Sequence, residues 1–218
     1  MPSITRSPSD SEENRAKVES AVFEAVRKLL DSGMKYTEIS VQKIIVEAQI
    51  ARSTFYAHFR DKSDLLSRLG RELNKRFFDE ATSDALDIWD AVESPDGLRG
   101  ITKILEEAIA RHRKHFSVLS AISETAAYDT SVHNFYTTDL EEFEERVVTD
   151  LRRRQEKGMT DNRMDPISAG RIIVWGGEQA IAHHIGKVDQ SGDAAFALEL
   201  ASIWWYGAYN RRPSATDR

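Results

Sequence analysis

Residues 36–62 read YTEISVQKIIVEAQIARSTFYAHFRDK, and this stretch decides the fold. It parses as two short helices joined by a tight turn. Ser40 stands where an N-cap is needed, since its hydroxyl can accept a free backbone N–H of the first turn. Ile44 and Ala48 recur at i and i+4 on one face, with Ile45 beside them. In the second helix, starting near Ala51, Phe55 and Phe59 are also i and i+4 and share the inward face. Arg52 and Tyr56 fall on another face, which carries a guanidinium and the hydroxyls of Ser53, Thr54 and Tyr56. No Asp or Glu occurs from Gln49 to Arg60. A short basic and hydroxylic helix braced by an apolar one suits the major groove of DNA.

Ala48, Thr54, Phe55, Tyr56, His58, Phe59 and Lys62 stand in the order and spacing of the helix-turn-helix pattern of the TetR family of bacterial regulators, which the stretch resembles. The resemblance implies a role for each matched position. Arg52 corresponds to a base-edge reader and Thr54 to a base or phosphate contact. Tyr56 corresponds to a phosphate-binding hydroxyl, His58 to a residue near the backbone, and Lys62 to a phosphate clamp. Ser40 and Gln42 fit phosphate and base-edge contacts upstream, and Ala57 offers only a methyl group. Two positions depart from the pattern. Gln49 stands where the turn usually has Gly, so a positive φ there is strained. Ala51 stands where a capping Ser is usual, a loss of roughly 1 kcal/mol of helix stability.

The rest of the chain reads as helices around this head, giving an all-α fold class. Residues 1–11 are polar with two prolines and are expected to form a disordered arm, with Arg6 available to DNA. A first helix over 12–32 carries the stripe Val18, Val22, Ala25, Val26 and Leu29 and stops at Gly33. A fourth helix begins at an Asp61-x-x-Asp64 cap and is expected to run to Trp89 or Val92. Ser94-Pro95-Asp96-Gly97 marks a junction. Further helices are expected over 98–115, 116–128, 132–157, 166–187 and 193–211, with Gly158 as a stop and Asp165-Pro166 as a start. The expected division is a DNA-binding domain over 12–62, a connecting helix over 63–93, and an effector-binding and dimerisation domain over 94–218.

Composition narrows the function. The chain has 218 residues, no cysteine and a net charge of −6. Disulfides and thiolate metal sites are therefore excluded. No signal-peptide pattern or membrane-length apolar run is seen, so a cytoplasmic protein is expected. The acidic excess lies in residues 81–218, while residues 1–80 are nearly balanced, so the charge does not oppose binding of DNA by the first part. His112 and His115 are i, i+3, but Arg111, Arg113 and Lys114 surround them and would repel a cation; no metal and no cofactor is expected. No nucleophile, base or phosphate loop stands in a catalytic context, and the protein reads as no enzyme. The Glu141–Glu145 acidic cluster ahead of Arg152, Arg153 and Arg154 reads as a solvated helix face.

The aromatic residues of the later helices, including Phe116, Phe135 and Trp175, read either as core or as the walls of an apolar cavity. The family resemblance implies an effector pocket there. The closing LELASIWWYGAYN further resembles the mycobacterial ethionamide-resistance repressor type. That likeness places Trp204 beside a lipophilic channel and Glu178 near it, with Gly177 where that type has a pocket Asn. Small residues on the last helices, Gly170, Gly176, Gly177, Ala194, Ala197, Ala201 and Ala208, fit the close helix pairing by which the family forms homodimers. The partners so implied are double-stranded operator DNA, a small lipophilic effector and a second copy. The alternative is a DNA-binding dimer of the same kind with no ligand, or one switched by a partner protein.

Overall fold

The computed structural model describes residues 8–81 and 96–212, with side chains for 12–73 and 96–212. Within them every regular element is helical. Helix α1 spans Pro8–Asp31, a turn of 3-10 helix spans Tyr36–Glu38, and α2 (Val41–Glu47), α3 (Arg52–His58) and α4 (Lys62–Ala81) follow. Then come α5 (Gly97–Lys114), α6 (Phe116–Ala126) and α7 (Thr130–Glu156). Helix α8 (Pro166–Arg171) runs through a π-helical turn (Ile172–Gly176) into α9 (Gly177–Lys187). After a 3-10 turn, α10 (Asp193–Trp204) ends in a second π-helical turn (Trp205–Tyr209). Both π turns, IIVWG and WYGAY, hold a Trp and a Gly; the hydrophobic period does not reveal them.

The punctuation expected from the residues is present. Gly33 takes φ +89 after α1, and the amide of Met34 reaches back to the Leu29 carbonyl at 3.4 Å. Gly158 takes φ +67 after α7. Asp165 caps α8 by accepting the Ser168 N–H at 3.0 Å, with Pro166 in the first turn. Helix α1 begins four residues before its expected start. Residues 1–7 with Arg6, the expected end of the fourth helix near Trp89 or Val92, and Ser94-Pro95 lie outside the described residues.

The chain packs as two units. The first comprises residues up to Arg76 together with Ser117–Tyr136. Its core is the α1 stripe of Val22, Phe23, Val26 and Leu30, closed by Ile39, Ile44, Phe55, Phe59 and the leucines of α4. Residues of α6 and the first turns of α7 complete it, among them Val118, Ile122 and Val132. The Phe135 ring lies so close over Gly70 that a β-carbon there would overlap it. Asp129 caps α7, accepting the N–H groups of Ser131 (2.9 Å) and Val132 (3.1 Å), and takes the Ser63 hydroxyl of α4 at 2.5 Å. The Ser63 bond, then the cap bonds, hold its carboxyl at about 2.

The second unit takes in the described residues from Phe77 to Phe116 and from Thr137 onward. Ile101, Leu105 and Ile109 of α5, Val147 and Leu151 of α7, and the inner faces of α9 and α10 form its core. Arg154 is buried here. Its Nε donates to the Tyr209 carbonyl at 3.0 Å, and its guanidinium lies 5.7 Å from the ring centres of Trp205 and Tyr209. The small-residue stripes mostly serve this core. A β-carbon on Gly177 would stand 2.7 Å from the Trp204 ring, Gly170 receives Val148, and Ala197, Ala201 and Ala208 are buried. That corrects the expectation that all of them serve helix pairing between copies, because the chain's own Trp204 and Val148 already fill two of these faces. Gly176 and Ala194 stay exposed.

Candidate nucleic-acid interface and effector site

Helix α2 starts as its sequence requires. Ser40 sits in extended conformation and its Oγ accepts the Lys43 N–H at 3.2 Å. The turn after α2 carries the expected strain: Gln49 has φ +54, alone among described non-glycine residues in the left-handed region. The Ile50 amide then closes back on the Ile45 carbonyl at 3.1 Å, the same wrap that ends α1. Ala51 precedes α3 with no side-chain cap. A seven-residue helix without a cap depends on its neighbours. Phe55 and Phe59 supply that dependence. Both are fully buried, with ring centres 5.5 Å apart and Phe23 of α1 6.0 Å from Phe59.

Burying that side of α3 turns the other outward. Arg52, Ser53, Tyr56 and Ala57 are exposed, as are Ser40, Gln42 and Lys43 at the start of α2; Thr54 is half-buried. The Arg52 guanidinium lies 5.4 Å from the centre of the Tyr56 ring, and its Nη2 is 3.4 Å from the hydroxyl. The face thus presents a forked donor steadied on an aromatic ring, flanked by hydroxyls and an amide. A guanidinium pairs with guanine O6 and N7, and hydroxyls and Lys43 suit phosphate oxygens. Lys43 was not singled out in the sequence; the signal for it is its place in the first turn of α2 beside Ser40 and Gln42.

Two residues assigned to this face by the family pattern turn inward. His58 is half-buried, with Nδ1 3.8 Å from a Glu19 carboxylate oxygen. That carboxylate also faces Arg15 at 3.1 Å and Arg68 at 3.5 Å, and Arg68 in turn pairs with Asp64 at 3.1 Å. Lys62 donates from Nζ to the Tyr36 carbonyl at 2.8 Å. Its ammonium lies 4.6 Å from the centre of the Tyr36 ring, and burial lowers its pKa.

The residues named for an effector divide between the units. Phe135 packs in the first, against Gly70 and Ile122, with the Arg71 guanidinium 5.8 Å from its ring centre. Phe116, Trp175, Gly177, Glu178 and Trp204 belong to the second. Trp204 is 7% exposed and spends its ring on Gly177. Phe116 and Trp175 are only partly covered, as are Leu140 and Phe143 of α7. The Trp175 indole donates to Glu144 at 2.7 Å, so this glutamate is anchored, unlike the solvated face expected of its cluster. Glu178 faces Nε2 of His112 at 3.3 Å, and His112 Nδ1 lies 3.0 Å from the Ala108 carbonyl. A carbonyl only accepts, so Nδ1 donates to Ala108, and the doubly protonated ring is the form that can donate to Glu178 as well. Burial by itself would lower the His112 pKa, but the Glu178 hydrogen bond and charge outweigh it and raise it. A separate, open cleft of about 690 Å³ along α7 is lined by Glu142, Glu145, Arg146, Thr149, Asp150 and Arg153. No group of three or more His, Asp or Glu among the described residues could hold a metal ion.

Residues 36–69 match the family described as Bacterial regulatory proteins, tetR family. No curated protein matches the sequence. Solved structures with the same fold include the fatty acid degradation regulator FadR from Bacillus halodurans, 17% identical over 95% of this chain and 100% of that one, with TM-score 0.63. Another is NalD, the secondary repressor of the MexAB-OprM multidrug efflux pump in Pseudomonas aeruginosa, at 18% over 88% and 97%, with TM-score 0.62. A regulator from Saccharomonospora viridis in complex with choline is 13% identical over 89% and 96%, with TM-score 0.61.

Two outcomes follow from this geometry. Arg52→Ala should relax base preference at one pair per half-site by about 1–3 kcal/mol while leaving affinity for random duplex nearly unchanged. Equal loss on selected and random duplexes in a competition binding assay would remove Arg52 as a base reader. Glu178→Gln should destabilise the fold by about 1–3 kcal/mol in mildly acidic solution, where the His112 imidazolium loses its carboxylate. A raised histidine pKa supplies stability that is complete below the ordinary value of 6.5 and fades as pH climbs through the raised one. The gap in melting temperature between variant and wild type should therefore narrow from pH 6 to pH 9; a gap independent of pH would refute the ionic pair.

Proposed function

We propose that this chain, a TetR-type DNA-binding transcriptional regulator and not an enzyme, grips a palindromic operator as a homodimer and is released by a small lipophilic effector. By role, residues 12–62 read DNA, 63–93 connect, and 94–218 bind the effector and the second copy. The regulator works in the cytoplasm, where its operator is; among the described residues no helix is long and apolar enough to cross a membrane.

The observation that carries the effector is a set of half-covered aromatics in the second unit. Phe116, Phe143 and Trp175 pack on its core without being closed over, and His112 and Glu178 of the same unit form a polar pair. An apolar molecule seated there gains roughly 25 cal/mol per Å² of buried apolar area, and the pair supplies its hydrogen bond. The choline held by the Saccharomonospora viridis relative supports a ligand in proteins of this fold. The narrower likeness to the ethionamide-resistance repressor type rests on the closing-helix residues, and the packing of Trp204 on Gly177 gives it no added support. Homodimerisation is supported by an uncovered apolar face on the last helices. Ile172, Leu198, Ile203 and Tyr206 are exposed, with the side-chain-free Gly176 and Gly207 among them. Two recognition helices about 34–36 Å apart then enter successive major grooves. An effector that prefers another spacing drains the DNA-bound state.

Small lipophilic amides, esters and ketones, titrated while Trp fluorescence and duplex binding are followed, should include members that change both signals. If a broad library neither raises the melting temperature nor frees DNA, the alternative stands: a ligand-free dimer or one switched by a protein partner. Gly176→Leu should yield monomers with weakened operator binding, because one half-site loses the two-fold match. A wild-type chain that sediments as a monomer at micromolar concentration would sink the dimer.

A further inference from the structure

We propose that Lys62, which the family pattern assigns to phosphate, is instead a positioning residue that clasps the two ends of the reading head to each other through Tyr36. This rests on the operator-binding reading of α2 and α3. Tyr36 precedes α2 and Lys62 follows α3, 26 positions apart, and the two residues exchange bonds in both directions. The Tyr36 hydroxyl donates to the Lys62 carbonyl at 2.6 Å. The Lys62 ammonium donates to the Tyr36 carbonyl at 2.8 Å, and it lies 4.6 Å from the centre of the same ring.

The Tyr36 ring is 4% exposed, anchored in the first core, and cannot itself reach DNA. Its carbonyl also receives the weak backbone bond from Ile39 at 3.2 Å, and the ammonium supplies a stronger partner. An ammonium so placed has one proton on a carbonyl and its charge on an aromatic face. It is desolvated from the inside of the protein rather than held out toward a phosphate. Everything that would touch DNA, from Ser40 through Tyr56, lies on the chain between the two clasped ends. Closing that loop at its base removes freedom from the whole head, as a cross-link does. Helix α3 is uncapped and follows a strained turn at Gln49, so its tilt is the quantity such a clasp controls.

The test uses the full-length chain and a duplex that the wild type itself enriches from a randomised pool, with a random duplex as comparator. Lys62→Met keeps the length of the side chain and deletes the ammonium. It should weaken the selected duplex about tenfold, leave the random duplex within about twofold, and leave the slope of log affinity against log salt unchanged. Tyr36→Phe removes only a buried hydroxyl, so a smaller loss of the same selective kind can come only through position. The double variant should lose less than the product of the singles. If Lys62→Met weakens both duplexes alike, flattens the salt slope by about one counterion, and Tyr36→Phe behaves as wild type, Lys62 is a phosphate clamp and the proposal is wrong. If both variants lose all binding in step with their folded fraction by circular dichroism, the clasp is merely structural and the proposal is equally wrong. A wild type that enriches no duplex overturns the operator reading and the clasp with it; the variant outcomes bear on the clasp alone.

Discussion

A helix of seven residues does not hold itself in water, and α3 is such a helix. It has no side-chain cap, and the turn before it places a glutamine at φ +54. Its position is therefore imposed from outside, chiefly by burying Phe55 and Phe59 against Phe23, Leu65 and their neighbours. Burying two rings of that size is worth several kcal/mol, roughly 1.5–3 each, against about 1 kcal/mol for a missing cap. The core wins, and the outward direction of Arg52, Ser53 and Tyr56 is its geometric consequence. The reading face exists because the opposite face is hydrophobic.

That logic is local, and so it was legible in the sequence. The i, i+4 phenylalanines, the Ser40 cap, Gly33 and Gly158 at helix ends and Pro166 in a first turn each act within a few residues of themselves. Periodicity reads such effects well. The strain at Gln49 was legible in another way, from the family pattern that usually has Gly in that turn, since a turn of that type requires a positive φ whatever residue occupies it. The helices of the second unit fell close to their expected spans for the same reason.

What escaped the sequence is long-range partnership. His112 and Glu178 are 66 positions apart, and nothing near either residue announces the other. Gly177 reads as a helix defect or a docking notch until Trp204 is seen occupying it. The small residues looked alike in sequence, yet Gly170, Gly177 and Ala197 are consumed by the chain's own packing while Gly176 faces out. Phe135 and Phe116 looked like two walls of one cavity, but they pack in different units, because the break between units falls inside α7 and not at a loop. His58 and Lys62 matched a pattern of contact residues, and a pattern fixes position along the helix without fixing where a long side chain turns.

If the chain grips DNA as proposed, the inward turn of those two residues bears on how it does so. With Lys62 committed to Tyr36 and His58 facing Glu19, Lys43 and Arg52 are exposed cations on the described reading face, and Arg60, close by, is paired with Asp61 at 3.2 Å. Non-specific affinity scales with the number of phosphates neutralised, and few cations per head keep that term small. Under that proposal such a head would gain little from simply lying on DNA, and its affinity would come from fit, from correctly placed base-edge donors and from two copies acting at once. Fit in turn depends on the tilt of an uncapped helix, which returns the argument to the buried phenylalanines and to whatever ties the ends of the head together. A dimer of the proposed kind would discriminate among sequences by geometry, and an effector would release it by moving that geometry, without any need to neutralise a strong electrostatic grip.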